Sequence, residues 1–153
     1  ERAHVIGTSR GGLISMVMAL MRPAALASVT LNDIGPVIER DGRFLLTLRP
    51  DGTHLAGHWE FPGGKCEPHE SHSDALRREL REELDILAEV GGLMHEVTHV
   101  YPERTVALHF YACCFAGEPT PMIGQQMRWV PRDELGTLPF PDADAGLIRL
   151  LTA

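Results

Sequence analysis

The sequence predicts an α/β protein in which helices cover both faces of a mixed sheet, an α/β/α sandwich. Two observations support this class. β-branched and aromatic segments lie on both sides of one long amphipathic segment, and a second apolar helical segment closes the chain. The length of 153 residues fits one domain with an appendage and is enough to bury a sizeable core.

The strands are predicted from apolar or alternating runs that end at turn residues. Asp41-Gly42 is typical of a two-residue hairpin turn between the first two strands. Pro62 ends a short third strand, and Pro102 lies between two long ones. The predicted strands span residues 35–40, 44–49, 60–61, 93–101, 105–115 and 128–130, and the closing helix spans residues 145–151.

The long amphipathic segment is a helix that follows Ser71, a predicted N-cap. Asp74, three residues later, completes a pair that is similar to a capping box. Leucines then recur at helical spacing, which predicts a buried stripe along one face. The predicted stripe consists of Leu76, Leu80, Leu84 and Leu87.

A second face of this helix carries three carboxylates, Glu79, Glu82 and Glu83. An exposed acidic face would cost only about 0.2–0.5 kcal/mol per like-charged pair, so the cluster alone does not indicate a site. The preceding Pro62-Gly63-Gly64 bend lets the backbone come close to a ligand beside these carboxylates. Because Mg²⁺ prefers a few carboxylates together with phosphate oxygens, loop and helix together indicate a magnesium site.

The spacing of residues around the helix is specific. Gly64 is followed after five residues by Glu70 and after seven more by the run Arg78-Glu79-Leu80-Arg81-Glu82-Glu83-Leu84-Asp85-Ile86. This pattern resembles the Nudix box, G-x5-E-x7-R-E-U-x-E-E-x-G-U, with Asp85 in place of the last glycine. A left-handed aspartate there should cost on the order of 1 kcal/mol and leave the chemistry intact. The resemblance implies hydrolysis of a nucleoside diphosphate that is linked to another group.

The resemblance also implies roles for the box residues. The implied ligands of Mg²⁺, with Mn²⁺ as an alternative, are the Gly63 carbonyl, Glu79, Glu82 and Glu83. Glu70 and Arg78 are implied to be a structural pair that holds the loop against the helix. Some members of the family use a late-loop acid as the general base, but no Asp or Glu lies between Glu118 and Asp133. A helix glutamate, Glu79 or Glu82, is therefore the expected catalytic base.

Segments outside the box resemble the MutT branch of the family. They are residues 59–65, 101–104 and 138–144. The branch resemblance implies hydrolysis of a nucleoside triphosphate, with oxidised dGTP as one candidate, to the monophosphate and pyrophosphate. Other candidates are CTP or dCTP, ADP-ribose, and binding of a nucleotide without turnover. The implied substrate-binding residues are Arg49, Phe61, Lys65, Asp142 and Asp144. An alternative role for Asp144 is to cap the last helix.

Residues 1–34 are expected to form a β-α-β-like extension ahead of the Nudix domain, residues 35–153. Gly7-Thr8-Ser9-Arg10-Gly11 has the G-x-S-x-G pattern, and the segment resembles the nucleophile elbow of an α/β-hydrolase. Nothing later in the chain resembles the part of that fold that supplies a base and an orienting acid. Esterase activity through Ser9 is therefore only a third candidate function. The apolar run at residues 13–21 must be buried, which suggests a homodimer that is built partly from this segment.

The remaining features restrict the class of partner. A net charge of −7 and a pI of about 5.6 argue against binding to nucleic acid or to anionic membranes. Cys66, Cys113 and Cys114 lack metal-ligand spacing, and reduced thiols in a cytoplasm are the simplest explanation. His95-Glu96-Val97-Thr98-His99 matches H-E-x-x-H, but its β-branched surroundings predict a strand, on which the two imidazoles would lie too far apart for one zinc ion.

Overall fold

The computed structural model describes residues 3–7, 26–102 and 104–153, and for residues 3–7 and 26–29 it describes the backbone alone. The strands are β1 (Ala3–Gly7), β2 (Leu26–Arg40), β3 (Arg43–Leu48), β4 (Trp59–Glu60), β5 (Gly64–Lys65), β6 (Glu89–Val100), β7 (Thr105–Cys114) and β8 (Met127–Pro131). The α-helices are α1 (His72–Leu84) and α2 (Ala145–Thr152), and two 3₁₀ helices precede α2 (Arg132–Thr137 and Asp142–Asp144).

The sheet is organised around β2. This strand pairs in parallel with β1 and β7 and antiparallel with β3 and β5. The neighbours follow the order β4-β3-β2-β7-β6, and β8 pairs with β3. The sheet is therefore mixed, as predicted from the sequence.

One prediction about β2 is wrong. The sequence predicts a strand that begins at Gly35, after the N-terminal extension, whereas β2 runs from Leu26 to Arg40 without a break. Uninterrupted parallel pairing with β7, from Thr30 opposite Thr105 to Ile38 opposite Cys113, holds the segment extended. Long-range pairing thus overrides the local turn signal of Gly35-Pro36. The predicted division at residues 34 and 35 falls inside this strand, and the two-part organisation stays a prediction.

The helices lie on opposite faces of the sheet. Residues along β3 alternate between two buried clusters, because successive side chains of a strand point to opposite faces. Leu45 contacts the cluster that includes Leu76 and Leu80 of α1. Phe44 contacts the cluster that includes Leu147 of α2 and Leu135 of the first 3₁₀ helix. This arrangement is the α/β/α sandwich that the sequence predicts.

Both ends of α1 are determined by local hydrogen bonds. The Ser71 hydroxyl accepts a bond from the Asp74 N–H at 3.1 Å, which confirms the predicted N-cap. The helix ends where Asp85 adopts the left-handed conformation, with φ 53° and ψ 38°. Leu87 was predicted to continue the buried stripe, but it is 74% exposed. The chain has left the helix at Asp85, so the helical spacing no longer applies.

Several predictions concern residues 8–25, which lie outside the described part of the chain. They are the nucleophile elbow with Ser9, the apolar helix, and the homodimer contact that this helix would make. The predicted strand before the elbow is present as β1, which pairs with the start of β2. His95 and His99 both lie on β6, which confirms the predicted strand. Within residues 3–7, 26–102 and 104–153, no helix is long and apolar enough to cross a membrane.

Candidate active site

The loop before α1 lies directly against the carboxylate face of the helix. A Cβ atom on Gly64 would lie 2.5 Å from the carboxyl carbon of Glu79, and one on Gly63 would lie 2.4 Å from the Ile34 carbonyl oxygen. Real Cβ contacts are not that short, so neither position accommodates a side chain. Gly64 therefore brings bare backbone to Glu79, and Gly63 packs its backbone against β2.

Arg78 joins the loop to the helix. Its Nε and Nη2 atoms donate to the two carboxylate oxygens of Glu70 at 3.0 and 2.9 Å. Its Nη2 also donates to the Lys65 carbonyl at 3.0 Å, and its Nη1 donates to Glu79 at 2.7 Å. The hydrogen bonds from Arg78 lower the pKa of Glu70. The expected contact between Glu70 and Arg78 is thus present, and the same guanidinium also orients Glu79.

The other two helix glutamates have different environments. The pKa of Glu83 is raised to about 7, first by burial and then by the nearby Glu79 and Glu60 carboxylates, while a hydrogen bond from the Gly63 backbone opposes the rise. The Glu82 side chain is 63% exposed, with its nearest oxygen 3.7 Å from Arg78 Nη1. Among the described residues, no three Asp, Glu, His or Cys side chains are already placed to hold one metal ion.

The loop at residues 117–126 covers the C-terminal end of α1. The Thr120 N–H donates to the Leu84 carbonyl at 2.8 Å, and the Met122 N–H donates to the Glu83 carbonyl at 2.8 Å. Gln125 is buried, and its Nε2 also donates to the Glu83 carbonyl. Residues 119–126 of this loop belong to the stretch between Glu118 and Asp133 that contains no Asp or Glu. Its buried amide is engaged in holding the helix end, a long-range contact that no sequence signal predicted.

A cavity of about 460 Å³ opens beside the glycine loop on the other side of β2. Four of the five predicted substrate-binding residues line it: Arg49, Phe61, Lys65 and Asp144. Asp142 is exposed and is not among the lining residues. The two aspartates that the sequence left as alternatives therefore differ in position: Asp144 lines the cavity, and Asp142 does not.

Aromatic rings form one wall of this cavity. Phe61 stacks on Phe140 with ring centroids 6.0 Å apart and contacts Phe110 edge-on at 5.8 Å. Arg49 lies nearby, and its Nη1 is 2.5 Å from a carboxylate oxygen of Glu60. Arg49 is thus paired within the protein, and Glu60 is a cavity residue that the sequence did not identify.

Asp144 is buried at 5% exposure between the cavity and α2. Its backbone occupies the N-cap position of α2, but its side chain makes no capping hydrogen bond. The capping alternative is therefore not supported. The pKa of Asp144 is raised to about 7, first by burial and then by the Glu60 carboxylate, while the Arg49 guanidinium opposes the rise.

Sequence reasoning also missed two charged residues with unpaired atoms, Asp33 and Arg104. Asp33 Oδ1 and Arg104 Nε are buried without a hydrogen-bond partner, and both residues line the cavity. The sequence held one signal for Asp33: a carboxylate between the buried residues Leu31 and Ile34 of one strand needs a partner or a functional role.

The chain is similar to proteins of known family. A NUDIX domain family model matches residues 34–150. The CTP pyrophosphohydrolase of Escherichia coli K12 is 39% identical over 121 residues, which are 78% of this chain and 90% of that protein. The 8-oxo-dGTP diphosphatase of Haemophilus influenzae is 38% identical over 111 residues, 72% of this chain and 82% of that protein. The solution structure of the E. coli ORF135 protein matches with a TM-score of 0.70 and 38% identity, covering 83% of this chain and 89% of that one. The chain therefore belongs to the Nudix family.

Proposed function

We propose that this protein hydrolyses a nucleoside triphosphate to the monophosphate and pyrophosphate with the help of a divalent cation. One observation carries the proposal: the Glu79 and Glu83 carboxylates face a glycine loop that opens directly into a cavity with an aromatic wall. The relatives support the same reaction class, because their names describe a pyrophosphohydrolase and a diphosphatase of nucleotides.

The donor set fits Mg²⁺ or Mn²⁺. Hard oxygen donors are what these cations prefer. The proposed ligands are the Gly63 carbonyl and the carboxylates of Glu79, Glu82 and Glu83. The raised pKa of Glu83 reflects burial beside other carboxylates, a cost that a bound dication would offset. Glu82 is exposed, so its side chain is free to turn toward the others. When bound, the cation neutralises phosphate oxygens and lowers the pKa of water.

The protein's own residues then have distinct tasks. Glu79 or Glu82 accepts the proton of the attacking water, and Arg78 holds Glu79 against the loop. Lys65 lines the cavity next to the glycines, which supports its proposed contact with a phosphate oxygen. The Gln125 amide is not basic enough to accept a proton and is bonded to the helix end, which supports a helix glutamate as the base.

The cavity suits the nucleoside part of the substrate. Phe61 offers an aromatic wall for the base, and Asp144 offers a buried carboxyl group for its polar edge. Arg49, paired to Glu60, orders this wall and lines the cavity. Oxidised dGTP and CTP are the two candidate substrates, because the relatives are named for 8-oxo-dGTP and CTP.

The setting of the reaction is also proposed. Three free thiols, two of them buried, support a reducing cytoplasm. The net charge of −7 supports a nucleotide substrate held through cations and not a nucleic acid. A homodimer through residues 1–34 remains a prediction, and light scattering at micromolar concentration that shows a monomer would contradict it.

A pyrophosphate-release screen tests the proposed function. Normal and oxidised nucleoside triphosphates and a buffer blank are incubated with the protein with and without Mg²⁺ or Mn²⁺, and ADP-ribose, which yields no pyrophosphate, is followed by the release of AMP. We expect cation-dependent pyrophosphate release from CTP, dCTP or 8-oxo-dGTP. Tight nucleotide binding without turnover of any of them would instead support the binding-module alternative.

A further inference from the structure

Asp33 has a distinctive place in the cavity. It lies on β2 opposite Lys65 of β5 and beside Leu108 of β7, at the level of the glycine loop. Asp33 and Gly35 belong to the same face of β2, and both line the cavity. The side chain is therefore between the loop that adjoins the helix carboxylates and the aromatic wall.

The carboxylate of Asp33 lacks a partner for one of its oxygens. Its Oδ1 atom is buried and makes no hydrogen bond. Burial raises the pKa of Asp33, and the nearby charges of Lys65, Arg104 and Arg49 oppose that rise. None of these three residues donates a hydrogen bond to Oδ1. An unsatisfied buried acceptor costs about 1–3 kcal/mol, more when it is charged. Such a group persists in a binding cavity when a ligand supplies the missing donor.

The chemistry of the missing donor can be narrowed by position. Lys65 of the glycine loop pairs with Asp33, and Glu79 is near enough to affect the pKa of Asp33. The polyphosphate would bind beside this loop, and phosphate oxygens offer no donor to a carboxylate. Phe61 lies beside Gly35, two residues further along β2, where the base would bind, and Asp144 also lines the cavity. A nucleotide that spans both regions has its sugar between them, and a sugar hydroxyl is a donor that a carboxylate oxygen accepts well.

We propose that Asp33 accepts a hydrogen bond from a hydroxyl of the substrate's sugar and so determines which sugars the enzyme prefers. The inference rests on the proposed function, since it assumes that a nucleotide occupies the cavity. It adds a residue from outside the box and outside the segments that resemble the MutT branch.

Changing the protein and the sugar together tests this contact. The substrate series is the ribo, 2′-deoxy and 2′,3′-dideoxy forms of the triphosphate that the unchanged protein hydrolyses best. We expect kcat/KM to fall about tenfold to a hundredfold in the unchanged protein when the contacted hydroxyl is removed, as for a hydrogen bond to a charged group. In Asp33→Val this preference should shrink to within about twofold, while Asp33→Asn, which keeps an acceptor oxygen, should retain part of it.

The three substrates are compared within each variant, so partial misfolding lowers kcat/KM for all three alike and leaves the ratios between them unchanged. Asp133→Val, an exposed aspartate outside the cavity, is the matched control and should keep the full preference. A preference in Asp33→Val equal to that of the unchanged protein would overturn the sugar contact alone. Absence of hydrolysis of every nucleotide by the unchanged protein would overturn the proposed function and this contact together.

Discussion

The carboxylate face of α1 and the cavity beside it are built in opposite ways. The first comes from one continuous stretch, residues 63–83, and Arg78 alone makes hydrogen bonds to three of its residues. The second is assembled from β2, β4, β7 and the second 3₁₀ helix, and it contains the unpaired atoms of Asp33 and Arg104. The difference indicates that Glu79, a proposed catalytic group, is held in place before a substrate binds, whereas Asp33 and Arg104 in the cavity each have an atom that still lacks a partner.

The largest expected effect is on the carboxylate face. Glu79→Gln keeps the shape of the side chain but removes its charge and basicity, so kcat should fall by a factor of about 10² to 10⁴. Steady-state pyrophosphate release measures this. Glu89→Gln makes the same chemical change at an exposed position of β6 and should have little effect. If Glu79→Gln keeps nearly the kcat of the unchanged protein, Glu79 is neither base nor ligand.

Arg78→Lys tests whether hydrogen bonding prearranges that face. Lysine keeps the charge but not the paired geometry that reaches both oxygens of Glu70 and the Lys65 carbonyl. We expect about a tenfold loss in kcat and about 1–3 kcal/mol less free energy of unfolding in urea. Arg77→Lys is the control, because exposed Arg77 makes a single 3.3 Å contact with Asp74 and its replacement should matter little. Equal losses in both variants would mean that the network has no special role.

Asp144→Asn tests the cavity through the pH dependence of stability. A carboxyl whose pKa rises from 3.8 unfolded to about 7 folded binds its proton more tightly when folded. The folded state therefore loses stability as pH rises from about 4 to 7, and the asparagine variant does not undergo this loss. The variant should gain on the order of 2 kcal/mol relative to the unchanged protein between pH 5 and pH 8.

Urea unfolding at the two pH values measures this gain. Glu83 has a raised pKa of the same sign, but it is present in both proteins and cancels from the difference. Asp142→Asn is the matched control, since Asp142 is exposed and lies outside the cavity lining. A pH-independent difference between Asp144→Asn and the unchanged protein would show that Asp144 is ionised in the folded state at every pH tested.

The smallest effect is expected at the end of α1. The backbone of Asp85 adopts the left-handed conformation, which costs glycine less than aspartate. Asp85→Gly should therefore stabilise the fold by up to about 1 kcal/mol without changing kcat. Arg81→Gly, on the exposed side of the same helix, should instead destabilise it by about 1 kcal/mol. A change in kcat for Asp85→Gly would mean that the residue after the helix takes part in the chemistry.

The carboxylate face could be predicted from sequence because its contacts are short-range. Ser71 caps the helix by accepting a hydrogen bond from Asp74, three residues later, and Glu70 contacts Arg78 across only eight residues. A pattern of residue types at constant spacing carries that information. The same reasoning failed at Leu87, where the helix ends and the spacing stops having meaning.

The cavity could be predicted only in part because its residues meet through long-range pairing. Asp33 reaches the site only because β2 continues past Gly35, and that continuity comes from β7, more than seventy residues later. Glu60 is close enough to Asp144 to raise its pKa, and this proximity also joins residues that are far apart in the sequence. Asp142 and Asp144 look equivalent in the sequence, and only the turn of the 3₁₀ helix makes one buried and the other exposed.

The continuity of β2 bears on how this protein can be shortened. A version that starts at Gly35, the predicted start of the Nudix domain, would lack residues 30–34 of β2, which pair with β7. It would also take away both residues that align with β5. An unprotected strand edge of that length invites self-association. Trimming at the family boundary would thus remove a carboxylate from the cavity and leave the sheet open to aggregation.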